Sequence, residues 1–92
     1  MHLGKSETVK DGNVIGIFDI EKATTSEDTK SFLKAMQRDF KTVNLASDLP
    51  AAFVVTDEEY TDRVYMTALS VGALKKRVSG YKKEEINHGT KL

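Results

Sequence analysis

Ninety-two residues carry 14 Lys/Arg and 14 Asp/Glu, a formal net charge of zero, with 39% apolar residues, 30% charged residues and no cysteine. That length accommodates one domain, which buries only about 60% of the surface its unfolded chain exposes, so stability is modest and self-association would help. Disulfides and thiolate metal sites are excluded, no apolar run approaches the roughly 20 residues that span a bilayer, and the start MHLGKSETV lacks the pattern of a signal peptide, so a cytoplasmic location is expected.

Residues 1–3 read as a short first strand ended by Gly4, and residues 7–10 (ETVK) alternate weakly as a second. Asp11-Gly12 is a dipeptide typical of two-residue hairpin loops. Residues 14–18 (VIGIF) form a continuous apolar run, predicting a buried strand in which Gly16 marks close packing or a bulge. A helix follows. Thr24 with Glu27 fits a capping box, Thr25 and Ser26 are equally good caps, and Glu27 and Asp28 suit the positive end of the helix dipole. Phe32, Met36 and Phe40 recur at i, i+4 and i+8 beside Leu33, opposed by Lys30, Lys34 and Arg38; the helix should end near Arg38 or Asp39.

Residues 42–45 then read as a short strand and 46–50 as a loop with the only proline. Residues 52–56 (AFVVT) make a strong strand, 57–62 an acidic turn, and 63–68 (RVYMTA) the returning strand of a hairpin. Ser70 can cap a last helix through about Val78, with Gly80 as its stop signal. Residues 1–80 are expected to form a single domain and 81–92 a polar, loose tail. This order predicts an α+β domain: a small, mostly antiparallel sheet with one amphipathic helix and a short C-terminal helix.

Catalytic chemistry finds little support in these residues. His2 and His88 lie near opposite ends of the chain and form no close-spaced ligand set. Asp57, Glu58, Glu59 and Asp62 lack the spacing and central glycine of a calcium loop and read as a solvated turn. Asp19 and Glu21 flank Ile20 and, without a partner base, read as strand-end solvation. No phosphate-cradling glycine loop is present. The expectation is no enzyme, no cofactor, no metal and no small-molecule ligand.

The local departure is the basic block Lys75, Lys76 and Arg77, in a stretch with no acid from Arg63 to Lys83. On a helix these three residues fan over about 200°, so some must face solvent. Bases at a helix C-terminus complement its dipole. They can also form a phosphate-contacting patch, extended by Lys82, Lys83 and Tyr81, and joined by Lys10 if the fold brings it near; such contacts position a protein on DNA without reading sequence. Zero net charge argues mildly against nucleic acid, because binders usually carry a basic excess.

HLG near the N-terminus, VIGIFDIE at 14–21, FLKAMQ at 32–37, AFVVTDE at 52–58 and VYMTALSVGALKKR at 64–77 together resemble the RemA/RemB family, small bacterial regulators of extracellular-matrix (biofilm) genes. The likeness covers nearly all of residues 1–78. It is closer to the RemB branch, whose members show an HLG start, a GIFD strand and a terminal LKKR. Each motif is short; their order and spacing together carry the resemblance.

The resemblance implies a cytoplasmic DNA-binding transcriptional regulator with a LytTR-like fold, acting on double-stranded DNA as a homo-oligomer, with a ring as in the better-known branch. A ring would multiply modest basic patches by avidity. RemA-type sequences place DNA-linked arginines in the loop before the AVV-type strand. The matching residues here, 46–51 (ASDLPA), contain no base and one acid, Asp48. Asn13 stands where that branch has an arginine before its third strand, with Lys10 three residues away. The candidate DNA contacts are therefore Lys75, Lys76, Arg77, Lys10 and Lys82. The alternative is an assembly or interaction module of the same fold that does not bind DNA.

Overall fold

A computed structural model describes residues 1–78; the tail expected at 81–92, with Lys82, lies outside the described residues. The elements in order are β1 (His2–Gly4), β2 (Glu7–Thr8), a 3-10 turn (Asp11–Asn13), β3 (Val14–Asp19), α1 (Ile20–Ala23), α2 (Glu27–Arg38), β4 (Thr42–Asn44), β5 (Ala52–Asp57), β6 (Asp62–Thr67) and α3 (Val71–Arg77). This is a small α+β fold with a four-stranded sheet in the order β3-β5-β6-β4 and a separate β1-β2 hairpin.

The strong AFVV run becomes the inner strand β5, buried from Ala52 to Thr56 on both faces. It pairs antiparallel with β3 and with β6. The expected hairpin at 52–68 is therefore present. The edge strand β4 runs parallel to β6, so β3 and β4 point the same way and the helices between them cross over the two inner strands as a split β-α-β unit.

Alternation along β5 gives each face its own core. Phe53 and Val55 face α2, where they join Met36 and Val64, with Leu33, Ile20, Ala23 and Met66 packed around them. Ala52 and Val54 face the other way, into a cluster with Leu3, Val9, Tyr65 and Leu74. The hairpin and α3 cover that second face, making three layers.

Several expected features differ in the fold. Asp11-Gly12 does not turn a hairpin between β2 and β3. It sits in the 3-10 turn, because β2 pairs only with β1 and β3 belongs to the other sheet. The hairpin turn lies instead at Lys5 and Ser6, where Gly4 adopts φ 132° and Lys5 φ 49°; the first of these is a conformation open in practice to glycine alone. Asp19 is more than a solvated strand end: its Oδ1 accepts from the backbone N–H of Glu21 (3.0 Å) and Lys22 (3.1 Å), capping the unforeseen α1. Among the three candidate caps of α2, Ser26 takes the position, its Oγ accepting from Thr29 N.

Gly16 serves both anticipated purposes. The pairing register shifts between Val14 and Gly16, and a Cβ on Gly16 would lie 2.5 Å from the Phe18 ring, which stacks on Phe53 with centroids 5.1 Å apart. The apolar stripe of α2 is shorter than its period suggested. Met36 is buried and Leu33 half-buried, whereas Phe40 lies beyond the helix end with its ring in solvent. The chain ends α2 in a Schellman arrangement: Lys41 N donates to Met36 O (2.8 Å) and Phe40 N to Gln37 O (3.1 Å), with Phe40 at φ 59°. Glycine normally takes this left-handed position; a bulky residue there costs on the order of 1 kcal/mol.

Candidate nucleic-acid interface

The basic block is held by a short, well-anchored helix. Ser70 Oγ accepts from Ala73 N (3.2 Å), capping α3. Leu74 is wholly buried and Val71 half-buried against the hairpin side of the sheet. With those residues turned inward, Lys76 and Arg77 are exposed and Lys75 is half-buried. Arg77 Nη1 donates to the His2 carbonyl oxygen (3.1 Å), tying the end of α3 to β1. All three bases lie in the last turn, where they also complement the helix dipole.

The fold brings Lys10 onto the same layer. Lys10 is exposed and directly precedes Asp11, and Asp11 lines a recess with Val14, Ile17, Val78 and Lys75. Asp11 itself pairs with the amino group of Met1 at 3.0 Å, and that amino group also donates to Val9 O (2.6 Å). Lys75, Lys76, Arg77 and Lys10 are thus gathered by α3, the hairpin and the 3-10 turn, while Lys82 lies outside the described residues.

Two further residues on this layer were not among the candidate DNA contacts read from the sequence: His2 and Lys5, both exposed. A signal for His2 existed. Leu3 in β1 and Val9 just after β2 are buried in the core, and their neighbours His2 and Lys10 are exposed. Lys5 carried no such pattern; its exposure comes from the hairpin tip. Against these bases the hairpin and turn set only Glu7 and Asp11.

The opposite end of β3 has the reverse character. Residues 46–51, where the RemA-type arginines would fall, run beside α1: Leu49, Pro50 and Ala51 line a recess with Asp19, Ile20 and Glu21. Asp48 adds a third acid to that region. A phosphate approaching there would meet these carboxylates, with Lys22 of α1 as the one base beside them.

The acidic turn after β5 is not wholly solvated as expected. Glu58 is half-buried, and its Oε2 accepts from Thr56 Oγ1 (2.8 Å) and Tyr65 Oη (3.3 Å). Burial, with the Glu58 carboxylate close by and bonded to it, raises the Tyr65 phenol above its ordinary range. This cluster joins the two strands of the hairpin. Among the described residues no three His, Asp or Glu side chains are grouped to hold a metal ion, and no helix is long and apolar enough to cross a membrane. Compared with known proteins, the chain matches no family model, no curated protein and no solved structure.

Proposed function

We propose that this chain is a cytoplasmic DNA-binding transcriptional regulator of the RemB type, with a LytTR-like fold, acting on extracellular-matrix genes as a homo-oligomer. The observation that supports the reading is that Lys10, Lys75, Lys76 and Arg77 all belong to the layer built by α3, the hairpin and the 3-10 turn, which also carries His2 and Lys5. Flexible bases around a small hairpin suit phosphate oxygens, which fix a protein on the duplex without reading base edges. Repetition of the layer around an oligomer adds contacts without strengthening any single one.

The test is binding of a labelled duplex DNA to the full chain, followed by fluorescence anisotropy across a salt series. Replacing Lys75, Lys76 and Arg77 together by alanine should weaken binding at least tenfold at low salt. The slope of log K against log salt should fall by up to about 3, since each phosphate-contacting base contributes about 1. Absence of binding at low salt, or binding indifferent to the triple substitution, sinks the reading.

A second reading keeps the fold and the self-association but not the DNA. It is favoured by the base-free residues 46–51 beside Asp19 and Glu21. Light scattering that finds a stable oligomer with no affinity for duplex DNA would select it, and a strict monomer would count against it.

A further inference from the structure

The two ends of α2 carry features of opposite shape. At its C-terminus stands Phe40, strained at φ 59° and 90% exposed, in neither of the two core clusters. A bulky residue in the left-handed region is an outlier, and strain of this kind is a pointer to function. At the N-terminal half of α2 lies a cleft of about 320 Å³ between the helix and β3, lined by Ile15, Phe18, Phe32, Phe53 and Val55. Ile15, Phe18 and Phe32 are 60, 41 and 38% exposed there. A closed apolar cavity of about 150 Å³ already holds benzene, so this cleft has room for a phenyl ring.

Phe40 cannot fill the cleft of its own chain. It directly precedes Lys41 and β4, one edge of the sheet, whereas the cleft opens at β3, which is the other edge among the described strands. Three strand spacings, about 14 Å, separate those edges. Charge favours the match between copies. Arg38 and Lys41 flank Phe40, with Asp39 3.6 Å from Arg38. The cleft is rimmed by Asp28, next to Glu27, which Lys30 approaches at 3.4 Å. The strand beside it, β3, carries no charged residue of the kind that blocks edge pairing before Asp19 at its end.

We propose that Phe40 of one copy inserts into the Ile15–Phe18–Phe32 cleft of a second copy. The contact is heterologous, with knob and cleft on opposite edges of the sheet, so it repeats head to tail and closes a ring or grows a filament according to the rotation per step. This rests on the homo-oligomer reading above and supplies its interface.

Sedimentation velocity on the full-length chain tests it. Phe40→Gly removes the ring and places the residue preferred at a left-handed helix end, so it should fold and should raise the concentration needed for self-association roughly 30-fold, the effect of losing an aromatic hot spot. Ile15→Glu should do the same from the cleft side, with Phe32→Ser replacing it if the glutamate variant does not fold. The decisive arm mixes the two variants. The intact cleft of Phe40→Gly should take the intact Phe40 of Ile15→Glu, giving a 1:1 heterodimer that grows no further. An oligomeric parent with equally oligomeric Phe40→Gly, or a mixture that stays monomeric, overturns the contact and leaves the homo-oligomer reading standing. Association blocked by Ile15→Glu but not by Phe40→Gly would mean direct β3 edge pairing and likewise overturns it. A parent that is monomeric at every concentration overturns the contact and the homo-oligomer reading together.

Discussion

On the side of the sheet covered by the β1-β2 hairpin and α3, Leu3, Val54 and Leu74 are wholly buried and the exterior is basic; on the side covered by α2, Ile15, Phe18 and Phe32 remain in solvent. The difference follows from how the covers are built. The hairpin and α3 come from opposite ends of the described chain and are joined by Arg77 on His2, while Thr67 at the end of β6 bonds Leu3 and holds the hairpin to the sheet. The twelve-residue α2, with the four residues of α1 beside it, covers the other side. It reaches the inner strands through Met36 and Leu33 but leaves the β3 edge open. One face is closed over by its covers, and the other leaves an apolar cleft open at the β3 edge.

The contrast can be broken most forcefully at Leu74. Leu74→Ala should cost about 2–5 kcal/mol, enough to unfold much of a domain whose total stability is of order 5–15 kcal/mol. Phe32→Ala, on the open side, should cost about 1 kcal/mol or less. Urea melts of the two variants measure the pair, and equal losses would show that the two faces are equally packed.

Next in size is Thr67→Val. Thr67 Oγ1 donates to Leu3 O (2.7 Å) and accepts from Leu69 N (3.1 Å), and the residue is 1% exposed. The substitution keeps the shape but leaves two backbone groups without this partner, at about 1–3 kcal/mol. Chemical denaturation should show the loss, with hydrogen exchange speeding at Leu69.

A smaller effect is confined to alkaline pH. Folding raises the Tyr65 phenol above its ordinary value of about 10. A group so raised contributes stability that is complete below the unfolded value and is lost as pH rises through the folded one. Thermal melts should therefore decline above about pH 10, and Tyr65→Phe should flatten that limb relative to the parent. An unchanged limb would place the phenol outside the hairpin cluster.

The smallest effect has the opposite sign. Phe40→Gly should stabilise the monomer by about 1 kcal/mol or less, because relief of the left-handed strain exceeds the flexibility that glycine adds to the unfolded chain. A lower melting temperature for the monomeric variant would mean that the Phe40 ring packs within its own chain.

Much of the fold was legible where the signals are local. AFVVT and RVYMTA read as strands from β-branched and aromatic residues, Ser70 marked α3, and the basic block was visible as a run. The end of α2 fell where it was expected, at Arg38 with Asp39 as its cap, but Phe40 misled as a member of the apolar stripe, because the left-handed turn after the cap carries its ring away from that face. Asp19 misled because a carboxylate ending an apolar strand and one capping a four-residue helix look alike. The candidate site was half legible: three of its bases are consecutive, but Lys10, His2 and Lys5 join them only through the packing of the hairpin and turn against α3.

The sequence by itself therefore determined the fold class and every element but α1 and the 3-10 turn, since caps, alternation and helical period act over a few residues. It determined that the positive charge lies on α3. Only the tertiary structure decided that β4 runs parallel at one edge, that Phe18 lies over Gly16, that Lys10 shares a layer with Arg77, and that a cleft opens at the edge opposite Phe40. Those outcomes depend on which strands pair and which faces are covered, and such choices are made between residues tens of positions apart, where no local pattern reaches.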